Sequence, residues 1–360
     1  MSNVETCVAT ASGSVTCTIS SSAVQTDLTE VLTSAQAVNS ALSTSSSMII
    51  IAYGGAGGRG KDYSGGSGGS GGEGGMAQMT TSLDSFRKTY NGSMLYFYFG
   101  AQGSTEHWGG KGGSSTVVAV ANLNMEGATP ANVVLCAGGG GGGGAANKGP
   151  GYGGGNGGSA TSSLGSSANG AGHTGSSNSN NAFYANPSGG SGGSNGIGGA
   201  GGAANDTKVN IAGKDGGDGM GGMGGPVHLG DGPSSPTLWT NFTQTAEETI
   251  DGLPVTIAIP IGLTGGEGGE GECREGGDIE GQPDSNMIAE GGGGGGGYGG
   301  GGGGGGGGLY EDSETGSDTS SAGGGGGGSY AAASTVTRVA PPYTVPSFNT
   351  GDGYVMIIFP

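Results

Sequence analysis

Eight short apolar blocks recur along the chain, separated by stretches that are polar or rich in glycine. They are Met48-Ile-Ile-Ile-Ala-Tyr53, Met94-Leu-Tyr-Phe-Tyr-Phe99, Thr116-Val-Val-Ala-Val120, Asn132-Val-Val-Leu-Cys136, Thr237-Leu-Trp-Thr-Asn-Phe242, Val255-Thr-Ile-Ala-Ile259, Ser334-Thr-Val-Thr-Arg-Val339 and Tyr354-Val-Met-Ile-Ile-Phe359. Each has strand length and β-branched or aromatic content, so together they predict strands enough for a small sandwich. Upstream the rhythm differs. Residues 1–20 read as two short strands rich in Val and Thr, after which Val24, Leu28, Val31, Ala35, Val38 and Leu42 recur at steps of four and three. That stripe predicts a helix, with Asp27 and Glu30 near the end where the helix dipole favours negative charge. It suits a short self-associating coiled coil, too short to stand alone, and equally an amphipathic helix lying on its own domain. Residues 43–47 serve as a linker. The expected division is therefore an attachment or assembly segment, 1–47, and a glycine-rich domain, 48–360.

Between the apolar blocks the glycine has a phase. Residues 65–75 read Gly-Gly-Ser-Gly-Gly-Ser-Gly-Gly-Glu-Gly-Gly, 216–225 carry Met220 and Met223 at the same spacing, and 265–270 repeat Gly-Gly-Glu. A period of three matches the polyproline II geometry, whose rise is about 3.1 Å and whose backbone groups must find partners outside their own helix. Glycine helices side by side can satisfy one another. On such a helix Ser and Glu line a solvent edge, Met220 and Met223 suit a sheltered one, and the glycines face neighbours. Longer runs lie at 138–144, 291–308 and 323–328, the second broken only by Tyr298. A flexible linker needs no phase and is not pinned between strands. The expected fold is mainly β and irregular: a bundle of polyglycine II helices packed with a small β-sandwich, preceded by a short N-terminal helix.

Composition narrows the class. Of 360 residues 95 are glycine and only 13 proline, so collagen, which needs a strict glycine at every third position and abundant proline, is excluded. Hydrophobic residues make up 32%, too little apolar surface to hold a chain of this length by burial alone. The net charge of −18 repels phosphate backbones and argues against a nucleic-acid partner. The start, Met1 to Cys7, lacks the basic and apolar parts of a secretory signal, and no apolar run approaches the ~20 residues of a membrane helix. No membrane insertion is expected; the chain is cytosolic or leaves the cell by another route, as part of a virus particle for example. Cys7 and Cys17 flank a turn centred on Ser12-Gly13, which fits a cross-strand disulfide and equally two reduced residues. Cys136 and Cys273 read as structural.

Candidate chemistry is sparse. Gly55-Ala-Gly-Gly-Arg-Gly-Lys-Asp62 has the spacing of a phosphate loop, but Asp62 stands where Ser or Thr must bind Mg²⁺. His107, His173 and His228 are isolated, and the acids from Glu267 to Glu280 read as a solvated edge. No enzyme, metal or cofactor is expected. Asn91-Gly-Ser93, Asn205-Asp-Thr207 and Asn241-Phe-Thr243 are glycosylation acceptors if the chain passes through a secretory pathway. Two polar connections, 102–108 and 176–187, mix aromatics with hydrogen-bonding side chains, as adaptable binding loops do. His107, Trp108, Asn181, Phe183, Tyr184 and Asn186 are the candidate receptor-binding residues; the alternative is that Trp108 and Phe183 cap the apolar interior.

Val133-Val-Leu-Cys-Ala followed by seven glycines, 291–297 with Tyr298, 323–328 followed by Ser329-Tyr330, and Gly351-Asp-Gly-Tyr-Val-Met-Ile-Ile358 resemble the glycine-rich domain of the anaplastic lymphoma kinase and leukocyte tyrosine kinase receptors and of many microbial and viral surface proteins. The resemblance covers roughly 48–360 and implies glycine helices packed beside a tumour-necrosis-factor-like β-sandwich. The receptors' ligand-binding residues have no recognisable counterparts here. The chain is also similar to the glycine-rich adhesins at the tail-fibre tips of T-even phages, whose loops contact the host surface. The expected role is a non-enzymatic surface or fibre protein, on a virion or otherwise extracellular. It would bind a host glycan or protein through its loops and other fibre subunits through 1–47. The alternative is a purely structural capsid, fibre or matrix component.

Overall fold

The computed structural model describes residues 4–10, 13–63, 66–105, 109–123, 130–147, 151–176, 189–194, 196–202, 215, 243–250, 253–260, 291–298, 301, 319–337 and 348–360. It is mainly β. In chain order the elements begin with β1 (Val4–Ala9), β2 (Val15–Ile19), β3 (Gln25–Asp27), α1 (Leu28–Gln36), β4 (Ser47–Tyr53), β5 (Asp62–Tyr63) and β6 (Met76–Ser82). Next come α2 (Leu83–Tyr90), β7 (Met94–Tyr98), β8 (Thr116–Ala119), β9 (Val133–Ala137), β10 (Ala146–Asn147), β11 (Ser159–Thr161) and β12 (Ala168–Gly170). The last are β13 (Thr243–Ile250), β14 (Leu253–Pro260), β15 (Thr319–Ser320), β16 (Ser329–Ala331) and β17 (Tyr354–Phe359).

Two six-stranded sheets, ordered β1-β2-β17-β4-β6-β11 and β12-β16-β9-β8-β7-β3, carry the apolar blocks. Their inner faces share one core: Cys17, Ile50, Met79 and Ile357 from the first sheet meet Leu95, Phe97, Val118 and Leu135 from the second. β4 is buried on both faces, because Ile49, Ile51 and Tyr53 form a second cluster with Met76 and Ile358 on the outer side. β5, β10 and β15 form a small separate sheet, and β13 pairs with β14.

The N-terminal segment does not stand apart. β2 pairs with β17, from Met356 opposite Thr18 to Phe359 opposite Val15, and β3 pairs with β7. The boundary expected at 47/48 therefore falls inside the sheets. α1 is shorter than the predicted stripe. It starts at the N-cap Asp27, whose carboxylate accepts from the Thr29 N–H at 2.7 Å, and it buries Leu28, Val31, Leu32 and Ala35 in the shared core. Val24 and Val38 of the supposed seam are 66% and 41% exposed, and its last member, Leu42, packs partly buried against the same core. No continuous seam is left to associate, which corrects the coiled-coil expectation: α1 is an amphipathic helix on its own domain. Cys7 and Cys17 stand opposite each other in the β1–β2 ladder and are disulfide-bonded, Cα to Cα 4.1 Å.

Of the eight predicted strands, six coincide with elements, from β4 to β17. Residues 334–337 do not continue as a strand: Ser334 makes only a bridge to Leu164, followed by bends. The block at 237–242 lies outside the described residues.

The glycine tracts continue the strands. β4 runs into 54–60, β9 into 138–144 and β12 into 171–176, while 66–75, 109–115, 151–158 and 321–328 lead into β6, β8, β11 and β16. Segment 138–144 lies at the centre. Its N–H groups donate in rotation to three neighbours: Gly139 to Gly296 O (2.7 Å), Gly140 to Gly55 O (3.0 Å), Gly141 to Gly155 O (2.8 Å), then Gly142 to Gly293 O, Gly143 to Gly58 O and Gly144 to Tyr152 O. Its carbonyls accept in the same rotation from three others: Gly75, Gly72 and Gly69; Gly327 and Gly324; Gly113 and Gly110. Partners on each side thus step by three residues. The surrounding segments also bond one another in a closed ring: 54–60 to 66–75, on to 151–158, 321–328, 291–297 and 109–115, and back to 54–60.

This packing needs glycine for space. Only Gly13, Gly165 and Gly196 among the described glycines have positive φ. In the bundle a Cβ would instead meet backbone on its neighbour, as at Gly141, where it would stand 2.6 Å from Gly324 C and 2.8 Å from Gly325 O. Along 66–75 Ser67 and Ser70 are exposed while the glycines between them are buried.

The junction between sheets and bundle is graded. Facing sheets stand about 10 Å apart, whereas hydrogen-bonded chains stand about 4.8 Å apart, so the core must thin toward the glycines. Buried alanines sit there: Ala52, Ala77, Ala137 and Ala160, each at or next to the strand end that meets a glycine tract. Ser329 ties the step together, accepting from the Gly138 N–H at 2.8 Å and donating to Gly158 O at 2.6 Å.

Candidate functional site

Strand direction decides which ends of the glycine segments lie together. Away from the sheets, one layer of bonds links Gly60 to Gly69, Gly69 to Gly144, Gly144 to Tyr152, Tyr152 to Ser321, Gly292 to Ala322 and Gly190 to Gly323. The chain therefore leaves and re-enters the bundle at this far end at the roots of the connections 61–68, 105–109, 145–150, 177–188 and 203–290, and it re-enters from 302–318 at Thr319–Ser320. β5, β10 and β15 pair here, Ala146 with both Asp62 and Ser320. A rigid base with several connections gathered at one end is the arrangement on which binding loops are usually carried.

His107, Trp108, Asn181, Phe183, Tyr184 and Asn186 lie outside the described residues, but the roots of their loops do not. Lys111 N–H donates to Ser104 O at 3.0 Å beside 54–60, and Gly175 N–H donates to Gly190 O at 3.0 Å beside 321–328. Both loops are rooted at the far end. They root on opposite flanks of 138–144, since 109–115 and 151–158 face each other across the ring. One compact site drawing on both loops has to reach over the bundle's centre.

Charge adds what the loop compositions alone do not convey. Nineteen of the 28 acidic residues, against three of the ten basic ones, lie in 203–290 and 302–318, so these two connections carry −16 of the net −18. Asp215, in the first of them, accepts from the Gly201 N–H at 2.6 Å and holds the connection to its root. The signal is present in the sequence as charge segregated after Gly202. The direction of each segment puts Gly202, Gly291 and Thr319, the described residues that flank these connections, at the same end, while Gly301 lies one step nearer the sheets.

The stretch with phosphate-loop spacing is occupied otherwise. The N–H groups of Gly55, Gly57, Gly58 and Gly60 all donate to neighbouring carbonyls, so they do not form an anion cradle. Arg59 pairs with Asp62 at 2.7 Å, and Asp62 accepts from the Gly68 N–H at 2.7 Å, closing the turn out of the segment. Cys136 is fully buried on the outer face of the second sheet, and burial pushes its thiol up to about 12. It stays protonated at neutral pH and is a poor nucleophile. Among the described residues no group of three His, Cys, Asp or Glu is placed to hold a metal ion, and no helix is long and apolar enough to cross a membrane. No protein-family model matches the chain, and no curated protein matches it.

Proposed function

We propose that this chain is a non-enzymatic surface or fibre protein, of a virus particle or otherwise extracellular, that presents loops on a rigid polyglycine II bundle for attachment to a host glycan or protein. In this reading the two sheets are a tumour-necrosis-factor-like sandwich that anchors the bundle, and the far end is the contact surface. The observation that carries it is that the described residues flanking most of the long connections lie at the end of a hydrogen-bonded lattice remote from the sheets. A bundle held by backbone bonds is stiff without a large apolar core. Its loops can therefore be polar and acidic at little cost to the fold, and the acidic end favours a neutral or basic partner over nucleic acid.

The test is binding of the purified chain to intact host cells, with competition against attachment. Replacing Trp108 and Tyr184 by Ala should abolish binding with thermal unfolding nearly unchanged, because exposed aromatic rings often dominate contact energy. A parent chain that folds but binds no cell, while still being built into particles, would point to a purely structural component. A large loss of stability in the double variant would make the two rings core residues.

A further inference from the structure

We propose that Asn91 is an acceptor for an asparagine-linked glycan. The proposal rests on the extracellular reading above, with passage through a secretory lumen as its route, and adds a modification at the opposite end of the molecule from the contact surface. Asn91-Gly92-Ser93 has the acceptor pattern, and the fold puts it where a bulky sugar can stand. Asn91 is the C-cap of α2, in the left-handed region at φ 53° and ψ 37°. The buried face of α2 is Leu83 and Phe86, whereas Asn91 and Gly92 are both exposed. A Cβ built on Gly92 meets nothing within 4 Å, so the space around the turn is open. The two other acceptor patterns, at Asn205 and Asn241, lie outside the described residues.

A second, independent observation is the Cys7–Cys17 disulfide. Such bonds form and persist in oxidising compartments, including the lumen in which these glycans are added. β6 runs away from the bundle into α2, so Asn91 sits beyond the sheet ends, remote from the far-end connections. A glycan there leaves the contact surface clear.

In the transfer, the Asn91 Nδ2 attacks the anomeric carbon of an oligosaccharide linked to a lipid pyrophosphate. The C–N bond forms, the C–O bond to the pyrophosphate breaks with its electron pair, and the amide proton passes to a base on the transferase. Ser93, which the transferase must also recognise, is engaged once the chain folds. Its carbonyl accepts from the Leu28 N–H at 2.9 Å. Transfer therefore precedes docking of β3 and α1.

The full chain, translated behind an added secretory leader into endoplasmic-reticulum microsomes, should carry a glycan on the Asn91 peptide, removed by a peptide-N-glycosidase. Asn91→Gln and Ser93→Ala should each lose that one increment. The folded, disulfide-bonded chain added after synthesis should not be modified at Asn91. An unmodified Asn91 in translocated chain, or an unchanged glycan count in Asn91→Gln, overturns the proposal, and modification of the folded chain overturns the order of events. Asn91→Gln should still bind cells, so failure of the attachment reading and failure of this one are separately visible.

Discussion

At Gly141 a methyl group has nowhere to go. The carbonyl carbon of Gly324 and the oxygen of Gly325 already stand within 3 Å of where it would be, and both belong to backbone tied on several sides by hydrogen bonds. A side-chain core can answer an added methylene with a rotamer change, at about 1–3 kcal/mol. A backbone lattice can answer only by moving a whole segment. Gly141→Ala is thus expected to destabilise by about 3 kcal/mol or more, the upper part of that range, in denaturant unfolding. Gly92→Ala is the control: its Cβ meets nothing, and the loss of unfolded-state freedom makes it neutral or stabilising by a few tenths of a kcal/mol. Equal effects at the two positions would mean that 138–144 is not closely packed. The same reasoning explains why the three-residue phase is legible in the amino-acid sequence itself: Ser67 and Ser70 mark the one edge where a Cβ has room.

At the scale of elements, β1, β2, β4, β7, β8, β9, β14 and β17 can be read from their Val/Thr-rich or apolar blocks, and the strands that escape have physical causes. β6, Met76-Ala-Gln-Met-Thr-Thr-Ser82, places Gln78 and Thr80 on a face that is nonetheless buried, so its pattern lacks the run of apolar residues that identifies β4. α2 is only eight residues long with two buried positions, too short for its periodicity to register. α1 is visible as a stripe, but a stripe does not say what it faces; only the pairing of β2 with β17 puts it over the shared core. This makes its faces separable by substitution. Leu32→Ala should cost about 2–5 kcal/mol, the range for truncating a buried leucine. Val38→Ala, beyond the helix and exposed, should stay within about 0.5 kcal/mol. Both variants should leave the sedimentation of the chain unchanged. A shift in oligomeric state with Val38→Ala, and none in stability with Leu32→Ala, would restore the self-associating helix. The candidate contact end is the least legible feature. Loop composition identifies 102–108 and 176–187, but the placement of their roots at one end depends on which way each glycine segment runs.

For the whole molecule, the decisive feature is that strands and glycine segments are one continuous piece of chain. The sheets are held by side chains packed between them, the bundle by backbone bonds between segments, and the same residues pass from one regime to the other across the alanines and Ser329. Loss of order in the bundle frees one end of seven strands at once, so the two parts should not open independently. Hydrogen exchange reads this directly, because amides that open together report one free energy. The amides of Gly139 to Gly144, each donating to a different segment in turn, should exchange as slowly as that of Ile50 in the doubly buried β4. Gly141→Ala should then accelerate both groups by the same factor, although Ile50 lies in the sheets. Glycine amides that exchange at free-coil rates beside a protected Ile50 would separate the bundle from the sheets and leave it a tethered linker. Protection of both groups with acceleration of the glycines alone would make it an ordered but independent unit, and the far end would then lack the stiff support that the attachment reading requires.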